Sequence, residues 1–146
     1  YLFKKFNYKY NKMAITISND VTRIFPKYEA ISVGSTLTGA DSGKVFKVSG
    51  SGGTVTLPAP KEGFNCRFVT TGAMDTANTV IAGGTADVME GSLIVAGAVV
   101  DVDAADQINF VHGSSNLGDF IDIWSDGSNY YVFGNALSSG ALTATG

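Results

Sequence analysis

Short apolar segments separated by turn residues are the feature of this sequence that most restricts its fold. Such segments lie at 45–48, 55–57, 66–68, 79–81 and 108–110, and clusters of Gly, Asp, Asn and Ser bound them, as is typical of strands joined by tight turns. The 18 glycines and the scarcity of charged residues, 16% of the chain, also favour strands over helices. The sequence therefore predicts an all-β fold, a single compact antiparallel β-sandwich or barrel of about nine short strands.

Alternation within these segments predicts which side chains face the core. The predicted inward residues are Phe46, Val48, Val55, Leu57, Cys66, Phe68, Ile108 and Phe110. Gln107 and Asn109 are predicted to point outward. In the apolar segment 92–103, Gly97 marks either a bulge in one continuous strand or the turn of a hairpin, and the pattern does not decide between them.

The segment 118–134, GDFIDIWSDGSNYYVFG, is the best-specified hairpin of the sequence. A two-residue Asp-Gly loop predicts a type I′ turn that pairs Ile123 with Tyr130, and a four-residue loop moves the pairing by two residues without changing the faces. One face then carries Ile121, Ile123, Tyr130 and Val132, and the other carries Phe120, Asp122, Trp124, Tyr131 and Phe133. Because a small sandwich has one interior, the second face is a candidate subunit interface or ligand surface.

Changes of composition divide the chain into four regions. Residues 1–12 are rich in lysine and aromatic residues and precede Met13, so we expect a leader that the natural protein lacks, or else a basic arm. Residues 13–33 are expected to form an extended arm or an edge strand, whose Ile15, Ile17, Phe25 and Tyr28 dock on a neighbour. The β domain is expected at 34–137, and the small residues of 138–146 predict a flexible tail without core positions.

The charge distribution disfavours nucleic-acid binding. Residues 13–146 hold six basic and thirteen acidic residues, a formal charge of −7, and no Lys or Arg follows Arg67. Such a surface repels a phosphate backbone, whose affinity depends on cationic side chains. No apolar run reaches the roughly 18 residues that a membrane-spanning helix needs, so no membrane partner is expected either.

The residues that carry chemistry are few and do not form a catalytic motif. Cys66 is the only cysteine and His112 the only histidine, which excludes a disulfide within the chain and the Cys- and His-based zinc motifs. The segment 37–48, LTGADSGKVFKV, has three residues between Gly39 and Gly43 where a phosphate-binding loop has four, and its lysine enters a strand. We therefore expect no enzyme activity and no cofactor.

Two further groups of residues in the sequence are each open to two interpretations. Asp101, Asp103 and Asp106 resemble part of a calcium loop, but they lack its glycine, and solvated acids at a strand end are the simpler interpretation. Trp124, Tyr130 and Tyr131, with Asp122 and Asn129, are candidates for a sugar-binding platform or for packing at a core or interface. Packing is the favoured reading of these aromatic side chains.

Five segments together resemble a family of small virion proteins of tailed phages, many of them from marine and cyanobacterial hosts. The segments read LTGADSGKVFKV, TVTLPAPKEGFNCRFV, NTVIAG, IVAGAVVDVDAADQINFV and GDFIDIWSDGSNYYVFG. The resemblance implies a β-rich capsid decoration (cement) protein that is often a homotrimer and lies on the capsid surface of the virion, where it ties major capsid protein subunits together. Related modules in tail fibres or spikes imply the alternative, a domain that binds a host receptor glycan.

Overall fold

The computed structural model describes residues 28–74 and 76–146, which form eleven strands and one short 3₁₀ helix. The strands are β1 (Tyr28–Ala30), β2 (Val45–Gly50), β3 (Gly53–Thr56), β4 (Asn65–Met74), β5 (Thr79–Ala82), β6 (Met89–Val95), β7 (Ala98–Ala105), β8 (Gln107–Phe110), β9 (Phe120–Ser125), β10 (Tyr130–Ala136) and β11 (Leu142–Thr145), and the 3₁₀ helix is Gly39–Asp41. In the described part of the chain no helix is long and apolar enough to cross a membrane.

The strands form two sheets that pack into a sandwich. The larger sheet has the order β1-β2-β4-β9-β10-β6-β7, and the smaller sheet has the order β11-β8-β5-β3. The predicted all-β sandwich is confirmed, but the sheets are mixed, since β1/β2, β2/β4, β3/β5 and β6/β10 are parallel pairs. From β2 to β5 the chain alternates between the sheets, so β2 and β4, and likewise β3 and β5, are two apart in sequence and run in the same direction.

The predicted inward residues form the core. All eight of them are buried, and the cluster extends over both sheets. Phe46 stacks on Phe68 at 5.1 Å between ring centroids. The Tyr130 hydroxyl donates a hydrogen bond of 2.5 Å to the Pro58 carbonyl, and burial raises the pKa of this phenol to about 12. The Cys66 side chain packs in the core as a small apolar group, and burial raises the pKa of its thiol.

The apolar segment 92–103 is a hairpin and not one continuous strand. Ala96 and Gly97, which connect β6 and β7, have φ values of 51° and 80°, as a two-residue turn with both residues in the left-handed region requires. Val95 therefore pairs with Ala98, and Ile94 pairs with Val99.

The hairpin of β9 and β10 has the four-residue loop and not the predicted two-residue loop. Ser125 pairs with Tyr130, and Ile123 pairs with Val132. The Asp126 carboxylate explains the longer loop, because its Oδ1 accepts hydrogen bonds of 2.8 Å from the backbone N–H groups of Ser128 and Asn129. This Asx-type arrangement satisfies donors that would otherwise lie at the end of the ladder. The assignment of side chains to the two faces is unchanged.

The C-terminal segment differs from the expected flexible tail. β11 pairs with β8, and Ala141 and Leu142 are fully buried. The expectation that 138–146 contains no core positions is wrong, because Ala141 and Leu142 are far from the other apolar segments in sequence but not in space. Asn109 of β8 points away from the core but is buried, since Thr143 and Thr145 of β11 lie beside it.

The described part of the predicted arm, residues 28–33, is joined to the larger sheet. Tyr28, Glu29 and Ala30 form β1, and the Ile31 N–H continues the contact by donating to the Lys47 carbonyl at 3.0 Å.

The predicted polar turn at 37–44 is a 3₁₀ helix that leads into β2, in agreement with the reading of Lys44 as a residue that enters a strand. The Lys44 ammonium lies 2.6 Å from Asp41 and 3.0 Å from Glu29, and its hydrogen bond lowers the pKa of Asp41.

Candidate interaction surface

The outer side of the larger sheet carries the aromatic residues that the sequence placed on the second face of the hairpin. Along β9 and β10, alternate residues point into the sandwich and away from it. Ile121, Ile123, Tyr130 and Val132 are buried, whereas Trp124, Tyr131 and Phe133 are exposed by 45%, 39% and 49%. We call the surface formed by Tyr28, Phe120, Trp124, Tyr131 and Phe133 the outer aromatic face.

Strand register brings these side chains together. Trp124 lies opposite Tyr131 across β9 and β10, and Asp122 lies opposite Phe133. The rings of Trp124 and Phe133 meet edge to face, with 5.4 Å between their centroids. Such pairs are favourable beyond the apolar area that they bury, so the two rings support each other on an otherwise open surface.

An ion pair lies at the centre of the face. Arg67 of β4 lies opposite Asp122 of β9, and its Nε and Nη2 atoms donate to the two carboxylate oxygens at 2.5 Å each. The hydrogen bonds to Asp122 raise the pKa of Arg67, and the guanidinium also lies 4.8 Å from the centroid of the Phe120 ring. The two-point contact with Asp122 and the cation–π contact with Phe120 fix the orientation of Arg67, so the centre of the face is preorganised.

A polar pocket lies beside the ion pair. It has a volume of about 260 Å³, and Tyr28, Asn65, Arg67, Asp122 and Trp124 line it. Its walls combine two aromatic rings with amide, guanidinium and carboxylate groups. These are the groups that hold a small polar ligand against an apolar surface.

The loop of the hairpin anchors the edge of the face. The Tyr131 hydroxyl donates to Asp126 Oδ2 at 3.0 Å. This hydrogen bond raises the pKa of Tyr131. The pKa of Asp126 is lowered, first by the hydrogen bond from the Asn129 backbone and then by those from Ser128 and Tyr131. The Tyr131 ring is thereby held in one direction on the surface.

Five of the eight predicted interface residues lie on one face. Tyr28, Phe120, Trp124, Tyr131 and Phe133 come together as described. Ile15, Ile17 and Phe25 lie outside the described residues. The sequence placed the four hairpin residues on one face but assigned Tyr28 to an arm, whereas the structure puts Tyr28 in β1 at the edge of the same sheet.

Other residues of the same face were missed or misplaced. Ile94 and Val99 pair on the outer side of β6 and β7 and are exposed by 45% and 74%. Reading Gly97 as a turn residue would have found them. No local sequence motif marked Arg67 as part of this face, because its partner Asp122 is 55 residues away in the chain. Tyr130, one of the proposed sugar-platform residues, is buried in the core and does not reach the face.

The other residues that the sequence offered for metal binding or catalysis do not come together in a site. Among residues 28–74 and 76–146, no group of three or more His, Cys, Asp or Glu side chains is placed to hold a metal ion. Asp106 accepts a hydrogen bond of 2.8 Å from the Asp87 N–H, which is a turn contact. His112 is exposed at the end of β8, and its backbone N–H donates to the Asn78 side chain at 2.9 Å.

Comparisons of this chain with protein-family models, curated proteins and solved structures found no match.

Proposed function

We propose that this protein is a non-enzymatic structural protein of a phage virion, a capsid decoration protein that binds the outer capsid surface and stabilises the head. The observation that supports this most directly is the outer aromatic face, an exposed group of large apolar side chains on a small β-sandwich. Contiguous exposed apolar surface on such a domain is typical of a protein that works in contact with other protein.

In this proposal the protein acts mechanically on the major capsid protein. The N-terminal arm (about 14–33) and the acidic surfaces contact the capsid lattice, and the outer aromatic face contributes protein contacts. Because the bound protein favours the assembled shell over separated subunits, stabilisation follows from mass action. A homotrimer, which the family resemblance implies, would engage several capsid subunits at once, so that modest single contacts add to a high avidity.

The proposal is tested on virions and on purified heads that lack the protein. Cryo-electron microscopy should place it on the outer capsid surface, and added protein should co-sediment with the heads and raise the temperature at which they open. Replacing Trp124 and Phe133 together by serine should weaken this binding, whereas Thr54→Ser, a change at an exposed position of β3 in the other sheet, should not. Density on the tail alone would contradict the proposal.

A second candidate function is a tail-fibre or spike module that binds a host glycan. The polar pocket beside Trp124 favours it, because an aromatic ring next to amide and carboxylate groups can hold a sugar ring by stacking and hydrogen bonds. The site differs from the sequence expectation, since Asn65 and Arg67 take the place of the buried Tyr130.

Glycan-array and host-attachment assays separate the two candidates. Under the second, purified protein binds a defined glycan, Trp124→Ala abolishes that binding without loss of folding, and Thr54→Ser leaves it intact. Under the first, the protein binds heads and no glycan, and Trp124→Ala leaves host attachment unchanged.

A further inference from the structure

Tyr28 is the first described residue, and it already lies on the outer aromatic face. In β1, at the edge of the larger sheet, it pairs with Val45 of β2, which in turn pairs with Arg67 of β4. Tyr28 is exposed by 60% and lines the polar pocket together with Trp124. The chain that precedes Tyr28 therefore joins the sheet at the rim of this face and beside the pocket.

The residues just before Tyr28 favour a chain that leaves the edge of the sheet. Pro26 has no N–H group and cannot donate to a strand ladder, so it disfavours a continuation of β1 along β2. Phe25 precedes the proline, a position that favours extended backbone. Three extended residues span about 10 Å, which brings the Phe25 ring within reach of the pocket that Tyr28 lines.

The length of the preceding segment exceeds the width of the face. The larger sheet has seven strands, and the six spacings between them, about 4.8 Å each, give a width of about 29 Å. Residues 14–27, AITISNDVTRIFPK, reach up to about 46 Å when they are extended. This segment is therefore long enough to cross the face from β1 to β7 even if it is not fully extended.

The segment and the face both carry apolar side chains that would otherwise meet water. The apolar residues of the segment are Ile15, Ile17, Val21, Ile24 and Phe25. The exposed apolar residues on the outer side of the sheet include Ile94, Val99, Trp124 and Phe133. Contact between these two sets removes apolar surface from water on both sides, which is the main driving force for protein association.

We propose that residues 14–27 lie across the outer aromatic face of their own chain, from β1 toward β7, with Phe25 in the polar pocket between Tyr28 and Trp124. In the pocket the Phe25 ring contacts the guanidinium of Arg67, which already lies 4.8 Å from the centroid of the Phe120 ring. A guanidinium attracts the faces of aromatic rings, so a second ring strengthens the arrangement at the centre of the face.

The polar groups of the pocket suit a crossing peptide chain better than a purely apolar partner. A backbone that covers the pocket loses water from its N–H and C=O groups, and these groups then need other partners. The Asn65 amide and the Asp122 carboxylate line the same pocket and can supply them. The mixture of rings and polar groups therefore matches the mixture of side chain and backbone that the segment brings.

The covalent connection at Tyr28 favours the segment of the same chain over that of a second copy. A segment joined directly to the rim of its binding surface has an effective concentration of about millimolar. Few apolar contacts are then sufficient to hold it in place, whereas a second copy must also overcome dilution. In the free protein the segment thus covers the surface that the proposed function turns toward other protein.

The first test uses Trp124, the only tryptophan of the chain, as a reporter of the cover. Acrylamide quenching of its fluorescence is measured on the purified full-length chain without capsids, so the result is independent of the proposed function. Phe25→Ser should shift the segment at least about tenfold toward the released state, the scale expected for losing one buried phenylalanine, and should thereby increase quenching.

Phe6→Ser is the matched control, because it makes the same change outside residues 14–27 and should leave quenching unchanged. Release of the segment is a local opening of the structure, and circular dichroism of each variant establishes that the sandwich remains folded. Equal quenching of Trp124 in the parent protein and in Phe25→Ser would overturn the inference.

The second test distinguishes the chain's own segment from that of another copy. Seven extended residues span about 23 Å, and β6 lies five spacings, about 24 Å, from β1, so Val21→Cys combined with Ser92→Cys places two thiols close together. Ser92 is on the outer side of β6, opposite Phe133. The Cys66 thiol does not compete, because it is buried and a buried thiol in apolar surroundings is unreactive.

A short bis-maleimide cross-linker should join the two introduced thiols within one chain, which denaturing mass spectrometry detects as a single-chain mass. Val21→Cys with Thr54→Cys, on β3 of the other sheet, is the control pair and should not be joined within one chain. Cross-linked dimers would assign the face to the segment of a second copy, and the absence of any link would leave the face uncovered. Either result overturns the inference, and capsid binding is judged by its own experiment.

Discussion

The outer faces of the two sheets differ in how their side chains are satisfied. On the smaller sheet, Asn109 donates to Thr143 and Thr145 at 3.2 and 3.3 Å, and Gln107 donates to Asn109 at 3.0 Å. Asn109 thus bonds across to β11, and Gln107 bonds to it within β8. On the larger sheet, exposed rings and aliphatic side chains surround one ion pair.

Exposure to solvent explains the polar side chains on the outer face of the smaller sheet, but it does not explain the apolar side chains on the outer face of the larger sheet. A face that water covers is expected to carry polar residues in alternation with the core residues. The smaller sheet follows this rule, but β9 and β10 are apolar on both sides, and residues 28–74 and 76–146 bury only one of these sides. The outer aromatic face therefore points to a requirement that lies outside the sandwich of described strands, and the following predictions test that conclusion.

The largest expected effect separates the buried side of the hairpin from the outer one. Ile123→Ala should lower the free energy of unfolding by about 2–5 kcal/mol, because it leaves a cavity in a core that cannot close completely. Phe133→Ala, on the outer side, should cost less than about 1 kcal/mol in the unassociated chain. Urea unfolding at a protein concentration low enough to exclude oligomers measures both. Equal losses would show that the outer aromatic face holds the domain together.

The next effect concerns the polar outer face of the smaller sheet. Asn109→Ala should lower the free energy of unfolding by about 1–3 kcal/mol, since it removes the shared partner of Thr143, Thr145 and Gln107 from a buried position. Thr54→Ala, an exposed change on β3 of the same sheet, should stay within about 0.5 kcal/mol of the parent protein. Thermal or urea unfolding gives the comparison. A negligible effect of Asn109→Ala would mean that water replaces the network without cost.

Local patterns in the sequence were sufficient for the fold class and for the direction of most core side chains. Phe46, Val48, Cys66 and Phe68 alternate with polar residues, and period-two alternation depends on neighbouring residues alone. The same reasoning placed Trp124, Tyr131 and Phe133 on one face, because a change in loop length of two residues leaves the faces as they were.

The features that were missed depend on contacts between distant parts of the chain. Parallel pairing of β2 with β4 follows from β3 crossing to the other sheet, and no local turn records that. The burial of Leu142 depends on its pairing with Phe110. The Arg67 and Asp122 pair likewise forms only when β4 and β9 are neighbours. The sequence thus predicted where the outer aromatic face lies but not the charged centre that organises it.

A smaller effect is expected at that charged centre. Arg67→Ala should lower the free energy of unfolding by about 1 kcal/mol or less, because the Arg67 side chain is 47% exposed and water screens the pair. Arg67→Lys keeps the charge but loses the two-point contact with Asp122 and the guanidinium contact with the Phe120 ring, so it should recover only part of the loss. Unfolding at low and high salt measures both variants. Full recovery by lysine would show that charge alone, and not the geometry of the guanidinium, is required.

The smallest effect is the acid dependence of the hairpin loop at the edge of the outer aromatic face. Hydrogen bonds from Asn129, Ser128 and Tyr131 lower the pKa of Asp126 below its ordinary value of 3.8. Because the folded state binds this proton less readily than the unfolded state, the contribution to stability is complete above the ordinary pKa. It is lost as the pH falls through the lowered pKa of the folded state.

Asp126→Asn removes the charge and keeps an acceptor oxygen, so it isolates this contribution. The difference in unfolding free energy between the parent protein and Asp126→Asn should be constant near neutral pH and should shrink as the pH falls below 3.8. Tyr131→Phe is the control for the partner, and it should retain the acid dependence that Ser128 and Asn129 produce. A difference that does not change with pH would mean that the carboxylate does not titrate against the loop. Some other contact would then have to fix the four-residue loop and, with it, the register that aligns Trp124 with Tyr131.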